Sequence, residues 1–324
     1  MMQPVRSNRP VRWGFVAVAG GTVLAFLLVV ILITAFILNE ASAIANSTGA
    51  LSNGAATPTD TPMPIPTSTP LPTPEPFVKG TAGYLVDARS GQVYYSANSH
   101  AKLQMGSLTK IMTAVVALER GDLFAVVPIT SSELNEVPSG ASTALLVAND
   151  RMYLKDLLYA LLLPSGCDAA IVIAHEVGGS TPHFVAMMNA EAQRLGLHDT
   201  HFTNPHGAFD DSNHYTSAAD LATLSRYAMN IPLFAQIVRT QDYHLEATIN
   251  HHDYPWHNTN SWLSMYRGAD GIKTGDTTAA GYCMVFSATR NGHRLIGVEL
   301  GAPDFATVFK DANRMMALGF FRVG

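Results

Sequence analysis

A serine and a lysine three residues apart, Ser107 and Lys110, are the side chains in this sequence best placed for covalent chemistry. A serine hydroxyl is a weak nucleophile until a neighbouring base accepts its proton. A lysine amine can be that base when burial and nearby positive charge lower its pKa. Residues three apart on a helix lie on the same face, so the amine can reach the hydroxyl. The spacing therefore predicts a serine nucleophile activated by a lysine.

The residues around Ser107 have the pattern of a buried helix. Apolar side chains recur at helical spacing, at Leu108, Ile111, Met112, Val115, Val116 and Leu118. Ser107 should lie at or just inside the first turn, where free backbone N–H groups can stabilise an oxyanion. The same spacing recurs from Ser99 to Lys102, but in a polar stretch without apolar periodicity. We interpret that second match as coincidence.

Two more short motifs follow in chain order. Ser165-Gly166-Cys167 comes after an apolar run that predicts the end of a helix. Lys273-Thr274-Gly275 lies on a predicted strand, where the threonine hydroxyl and the bare glycine backbone can face a ligand. Ser-x-x-Lys, a serine motif and Lys-Thr-Gly occur together in enzymes that react with penicillin.

The elements that must position these motifs are predicted from periodicity and turn residues. A hairpin is expected at 83–87 and 92–96, helices at 154–163, 169–177, 182–195, 218–229 and 305–318, and strands at 271–275, 282–288 and 294–300. Strands from both ends with helices between them predict an α/β (α+β) fold, with a mixed, mostly antiparallel sheet flanked by helices and a helical subdomain. The seam between sheet and helices is the expected cleft.

An uninterrupted apolar run, residues 14–38, is long enough to span a bilayer. Arginines precede it and no basic cluster follows, so residues 1–13 should form a short cytoplasmic tail and the rest should lie outside the membrane. We expect a single-pass anchor in the cell membrane. The alternative is a cleaved signal peptide, because Ala41-Ser42-Ala43 resembles a cleavage site.

Residues 39–78 form a linker rich in Pro, Thr and Ser, and residues 79–324 form the catalytic domain. The linker favours a semi-rigid polyproline II conformation, which reaches roughly 60 Å over about twenty residues. The net charge of -5 argues against a nucleic-acid partner. Two cysteines, Cys167 and Cys283, allow either a disulfide or two free thiols.

Around the three motifs the chain resembles the serine D-Ala-D-Ala carboxypeptidases, the low-molecular-mass penicillin-binding proteins of the peptidase S11 family. The resembling stretches are 157–170, 204–207, 213–215, 270–275 and 280–282. The resemblance implies a β-lactamase/transpeptidase-like fold. It also implies that Ser107 attacks the carbonyl between the terminal D-alanines of a peptidoglycan stem peptide, giving an acyl-enzyme and free D-alanine. β-Lactams should acylate the same serine, and no cofactor is implied.

The resemblance further implies roles for the other motif residues. Lys110 would be the base and Ser165 would relay its proton to the leaving amine. Lys273 would supply positive charge, and Thr274 would hold the terminal carboxylate. The oxyanion would lie between the backbone N–H groups of the nucleophile and Asp276, which follows Gly275.

Three departures from the family pattern affect substrate binding. The family usually has asparagine where Cys167 stands, and some cysteine variants are linked to transpeptidation, so transfer to an amine is an alternative to hydrolysis. Asp276 puts a negative charge beside the expected carboxylate pocket. Residues 305–308 lack the arginine that some relatives place near the start of the last helix.

Other classes of function fit the sequence less well. Twelve histidines invite a metal hypothesis such as a zinc peptidase, but no recognised ligand spacing is present, even among His198, His201, His206 and His214. Glu246 begins a match to a β-lactamase element that supplies a deacylating base, in a strand-like segment that we read as coincidence. A non-hydrolytic penicillin-binding sensor would be expected to carry cytoplasmic machinery, and only about a dozen residues precede the apolar run. A protein that binds peptidoglycan without hydrolysis stays an alternative because of Cys167.

Overall fold

The structure is a computed structural model that describes residues 77–323. The predicted cytoplasmic tail, the predicted membrane span and almost all of the predicted linker therefore lie outside the described residues. Between residues 77 and 323, no helix is both long enough and apolar enough to cross a membrane.

The centre of the domain is a five-stranded sheet built from both ends of the described chain. Its strands are β1 (Ala82–Asp87), β2 (Val93–Ala97), β7 (Ala269–Thr277), β8 (Gly281–Arg290) and β9 (His293–Ala302), in the order β2-β1-β9-β8-β7. Each neighbouring pair is antiparallel. The predicted sheet is thus confirmed, with each strand starting or ending within two residues of its prediction.

Most of the helices lie between the two groups of strands in the chain. They are α1 (Lys110–Arg120), α2 (Ser131–Asn135), α3 (Leu154–Leu162), α4 (Cys167–Gly178), α5 (Thr181–Arg194), α6 (Ala218–Ala228), α7 (Pro232–Arg239) and α8 (Trp262–Met265). Short strands β3 (Val126–Pro128) with β4 (Arg151–Tyr153), and β5 (Asp242–Leu245) with β6 (Tyr254–His257), form two small antiparallel pairs. Helix α7 was not predicted from the sequence.

Serine side chains begin two of these helices. Ser180 accepts a hydrogen bond from the backbone N–H of His183 at the start of α5, and Ser217 accepts one from Asp220 at the start of α6. Such caps satisfy backbone donors that have no partner inside the helix. The caps explain why these helices begin within one residue of their predicted starts.

The last helix, α9 (Phe305–Val323), contributes to a core separate from that of the helical block. Register places Lys273, Val285 and Val298 side by side across β7, β8 and β9, and both valines lie in the core shared with the helical block. Met284, on the opposite face of β8, packs with Met315 and Met316 of α9. Helices therefore cover both faces of the sheet, which is why β8 and β9 are buried along most of their length.

Candidate active site

Ser107 lies on a short 3-10 helix, Gly106–Thr109, which we call the serine turn. Helix α1 begins directly after it, at Lys110. Gly106 has a positive φ of 53°, and a Cβ on it would lie 3.1 Å from the backbone nitrogen of Asp276. The positive φ and this close approach together favour glycine before the serine. Ser107 is half-buried and lines an open cleft.

Lys110 is fully buried, and its amine reaches the serine. Lys110 Nζ lies 2.9 Å from Ser107 Oγ, 2.8 Å from the carbonyl oxygen of His206 and 3.4 Å from Cys167 Sγ. Burial is the main cause that lowers the pKa of Lys110, while the neighbouring Cys167 and Asp168 oppose it. A buried amine with a lowered pKa, hydrogen-bonded to a serine, has the geometry of a nucleophile and its base.

Ser165 lies between α3 and α4 in a backbone conformation that is rare for residues other than glycine, with φ of 62°. Its side chain is 6% exposed, and between residues 77 and 323 the structure gives Ser165 Oγ no hydrogen-bond partner. Ser142 Oγ donates to the carbonyl oxygen of Ser165 at 2.7 Å and so supports this turn. An unpaired buried hydroxyl facing a cleft is available to a substrate.

Lys273 supplies a second buried amine, from the edge strand β7. Its Nζ donates to the carbonyl oxygen of Thr274 at 2.9 Å. Burial, and then the positive charge of Lys110, lower the pKa of Lys273 to about 7. Thr274 Oγ1 lies 3.2 Å from the hydroxyl oxygen of Thr259, and both threonines line the cleft.

Gly275 lets strand β7 approach the serine turn. A Cβ on Gly275 would lie 2.8 Å from the backbone nitrogen of Ser107 and 3.0 Å from that of Leu108. Any larger residue would push the strand away from the serine. The next residue, Asp276, is exposed and has its backbone nitrogen beside Gly106. The backbone nitrogens of Ser107 and Asp276 therefore lie in one neighbourhood, as an oxyanion site requires.

The three motifs meet at one cleft of about 580 Å³. Ser107, Ser165, Thr274, Gly275 and Asp276 line it. Lys110 and Cys167 lie just behind its wall, in contact with each other. All eight residues singled out in the sequence thus belong to the cleft or to its immediate support.

A scan of protein families matches residues 72–304 to the peptidase S11 family, described as D-alanyl-D-alanine carboxypeptidase. The chain belongs to this family. Peptidase S11 membership makes the protein a hydrolase of the serine D-Ala-D-Ala carboxypeptidase type, on a penicillin-binding-protein fold.

Several peptidase S11 relatives are similar over most of the chain. The D-alanyl-D-alanine carboxypeptidase of Streptomyces sp. strain K15 is 34% identical, with 76% of this chain and 89% of the relative covered. The Escherichia coli enzyme DacC is 33% identical, with 76% of this chain and 62% of the relative covered. The match to DacF of Bacillus subtilis, at 34% identity, takes in 67% of this chain and 56% of that protein.

Among solved structures, the crystal structure of the Streptomyces K15 DD-transpeptidase has a TM-score of 0.72 and 36% sequence identity, and the match covers 76% of this chain and 98% of that one. Variants of that transpeptidase with a cysteine replaced by asparagine or by alanine have also been solved.

Nine residues that line the cleft were not singled out by the sequence analysis, including the following four. Ser142, Asp210, Thr259 and Phe305 line it, reaching it from three loops and from the start of α9. Asp210 bonds to Thr277 across the cleft mouth. No local pattern marks the loop residues. The resemblance covered 204–207 and 213–215 but assigned them no role, although His206 contacts Lys110.

Ser99 accepts a hydrogen bond from Ser96 and Lys102 lies over the ring of Tyr215, so neither lines the cleft. Glu246 lies at a different surface pocket. Cys167 and Cys283 are both free thiols, which excludes the disulfide alternative. Between residues 77 and 323, no group of three or more His, Cys, Asp or Glu side chains is placed to hold a metal ion.

Proposed function

We propose that the protein removes the terminal D-alanine of peptidoglycan stem peptides through an acyl-enzyme on Ser107. The observation that supports this most directly is the 2.9 Å contact between the buried amine of Lys110 and the hydroxyl of Ser107, at the wall of an open cleft. The enzymatic names of the peptidase S11 relatives supply the substrate class.

Acylation begins with Lys110 as a neutral amine. Its two N–H bonds are donated to the His206 carbonyl and to the Cys167 sulfur, so the nitrogen lone pair faces the hydroxyl of Ser107. Ser107 Oγ forms a bond to the scissile carbonyl carbon as its proton passes to Lys110. The carbonyl oxygen becomes an oxyanion held by the backbone N–H groups of Ser107 and Asp276.

Collapse of the tetrahedral intermediate breaks the C–N bond and releases D-alanine. The leaving nitrogen needs a proton, and the unpaired hydroxyl of Ser165 is placed to pass it from Lys110. Water then attacks the carbonyl carbon of the acyl-enzyme as one of its protons passes to Lys110. The ester bond to Ser107 Oγ breaks as Lys110 gives that proton to Ser107 Oγ. The products are the shortened peptide and the regenerated serine.

Substrate binding depends on the other amine. Lys273 supplies positive charge behind the cleft wall, and Thr274 hydrogen-bonds the terminal carboxylate of the substrate. Asp276 presents its backbone to the oxyanion and its carboxylate to solvent. Burial of Lys273 strengthens its attraction for an anion, because little water screens it.

Transfer to an amine acceptor, that is D,D-transpeptidation, is the second candidate. It is favoured by Cys167, which replaces the usual asparagine beside Lys110, and by the similarity to the Streptomyces K15 DD-transpeptidase. The two reactions share the acyl-enzyme and differ only in the nucleophile that resolves it. Hydrolysis is the main proposal because the matching family is described as D-alanyl-D-alanine carboxypeptidase.

The proposed location is the outer side of the cell membrane, with residues 14–38 as a single N-terminal anchor and 39–78 as a spacer. The test is membrane fractionation of the full chain and of a chain lacking residues 1–38. Retention of the full chain in washed membranes, with release of the shortened chain, is expected. Release of both would overturn the anchor.

The test of the reaction is covalent labelling of the full chain with a fluorescent penicillin, followed by peptide mass spectrometry. We expect label on Ser107 and release of D-alanine from a stem-peptide mimic. Ser107→Ala should abolish both, whereas the matched control Ser99→Ala should retain both. Label on Ser99, or absence of label, would refute the site assignment.

A further inference from the structure

The loop of residues 203–215, here called the histidine loop, packs directly on the serine turn. A Cβ on Gly207 would lie 2.0 Å from the carbonyl oxygen of Gly106 and 2.5 Å from Thr109 Oγ1. Gly207 has a positive φ of 73°, so both its conformation and its surroundings require glycine. The histidine loop also accepts hydrogen bonds from the α1 side chains of Lys110 and Thr113.

His214 is the buried centre of this contact. The backbone N–H of Thr203 donates to His214 Nδ1 at 3.1 Å, and His214 Nε2 lies 2.7 Å from Thr109 Oγ1. A backbone N–H can only donate, so Nδ1 carries no proton and Nε2 does. The ring therefore donates from Nε2 to Thr109 Oγ1, which in turn donates to the carbonyl oxygen of Gly106 at 2.8 Å.

The carbonyl at the end of this chain belongs to the peptide group that contains the backbone N–H of Ser107. A peptide group is planar, so fixing the direction of its C=O fixes the direction of its N–H. A hydrogen bond to the carbonyl also polarises the amide and strengthens the N–H as a donor. That N–H is one of the two donors proposed to hold the oxyanion.

We propose that His214 is a positioning residue that orients the oxyanion-binding N–H of Ser107 through the hydroxyl of Thr109. The inference rests on the proposed function and adds residues that neither touch the substrate nor belong to the three motifs. His214 acts two hydrogen bonds away from the carbonyl it positions.

The ring keeps the required proton arrangement over the ordinary pH range. Burial lowers the pKa of His214 to about 4, with Asp211 opposing this and His201 adding to it. The edge of the ring meets Phe202, and His206 lies in the same loop. Protonation at Nδ1 would place two N–H donors, those of His214 and Thr203, against each other and disrupt the chain of hydrogen bonds. This protonation occurs only in acid.

The test measures acylation of the protein by a penicillin. It determines separately the dissociation constant K of the initial complex and the rate constant k2 of the covalent step. Thr109→Val removes the hydroxyl at nearly constant volume and should lower k2 by about 10–100-fold with little change in K, because oxyanion alignment matters in the transition state. Thr109→Ser restores the hydroxyl and should return k2 to within about twofold of the original protein.

Two further variants separate positioning from folding. His214→Phe should lower k2 by a factor similar to that of Thr109→Val, and the double variant should be no slower than either, since both break one chain. Thr113→Val is the matched control, because it removes a buried hydroxyl that bonds to the same loop at Pro205 without reaching the Gly106 carbonyl. It should lower thermal stability and leave k2 within about twofold.

The inference is overturned if the double variant multiplies the two single losses, if Thr109→Ser is as slow as Thr109→Val, or if Thr113→Val slows acylation equally. The thermal unfolding of each variant is measured as well. A loss of k2 that is explained by unfolded protein also counts against the inference. If the unaltered protein forms no adduct at Ser107, the proposed function fails instead, and the two failures are distinguishable.

Discussion

Two buried amines, those of Lys110 and Lys273, lie close together beside one face of the sheet. Two buried carboxyl groups, those of Glu299 and Asp311, lie close together at the opposite face. Burial, and then the charge of a protonated Lys110, lower the pKa of Lys273 to about 7. Burial, and then Asp311, raise the pKa of Glu299 to about 8. Both pairs are buried near a like charge, yet only the amines lie behind a cleft.

The partners of the two pairs differ. The Lys110 amine contacts the hydroxyl of Ser107, and the Lys273 amine donates to the backbone carbonyl oxygen of Thr274, whose residue lines the cleft. The carboxyl groups accept hydrogen bonds from the backbone nitrogens of residues 79 and 80, at 2.6 and 2.9 Å, where the domain begins. A shifted pKa therefore indicates a functional site only together with a cleft and a nucleophile.

The largest effect is expected for Lys110→Met, which removes the proposed base but nearly keeps the volume of the side chain. We expect the penicillin acylation rate to fall by about 10³-fold or more, since general bases contribute 10²–10⁴-fold and this one also relays the proton. The melting temperature should change little compared with this loss of rate, because the substitution also removes a buried charge. An acylation rate within tenfold of the original would refute the role of Lys110.

Lys273→Met tests the second amine. The proposed role predicts a loss of about 10–100-fold in kcat/KM for a substrate with a free terminal carboxylate. Only the protonated amine attracts an anion, so kcat/KM of the original protein should decline as pH rises through about 7, the pKa of this group. The substrate methyl ester is the control and should show neither effect. Equal losses for acid and ester would contradict carboxylate binding.

Much of the fold could be predicted from the sequence because its signals are local. The strand predicted at 271–275 is the interior of Ala269–Thr277, and the helix at 169–177 is most of Cys167–Gly178. Ser107 and Lys110 could be paired because residues three apart on a helix lie on the same face. Helix α7 was missed, although Pro232 at its first position is a known start signal.

The rest of the site could not be predicted, for a physical reason. Ser142 and Thr259 reach the cleft from loops, and their positions depend on packing between elements far apart in the chain. The bond between His214 and Thr109 joins residues separated by 105 positions, and no spacing rule reports such a contact. Histidine count suggested a metal, whereas this ring is a hydrogen-bonded part of the support for the serine turn.

Glu299→Gln tests the carboxyl pair at the other face of the sheet. Because the pKa of Glu299 is raised from 4.5 to about 8, the folded protein binds more protons than the unfolded chain between these values, and its stability should fall as pH rises through them. Glutamine cannot ionise, so the variant should be more stable than the original protein at pH 8, by roughly 1–3 kcal/mol, and similar at pH 4. Chemical denaturation at both pH values measures this.

Penicillin acylation by Glu299→Gln should be unchanged within about twofold, because the group lies away from the cleft. An acylation rate that changes with the substitution would show that the two buried pairs are coupled through the sheet. A stability difference that is the same at both pH values would contradict the ionisation of Glu299 as its cause.

The smallest expected effect belongs to Cys167→Asn, which changes the support of an amine without removing it. Cys167 Sγ lies 3.4 Å from Lys110 Nζ and 4.0 Å from Ser142 Oγ, where an amide would offer both a donor and an acceptor. We expect the partition of the acyl-enzyme to shift a few-fold from an added amine towards water, with acylation itself little changed, because an amide can hold a water by two strong hydrogen bonds and a thiol cannot. Product analysis with D-alanine or glycine as acceptor measures the ratio. A ratio that stays the same would mean that the cysteine does not select between hydrolysis and transfer.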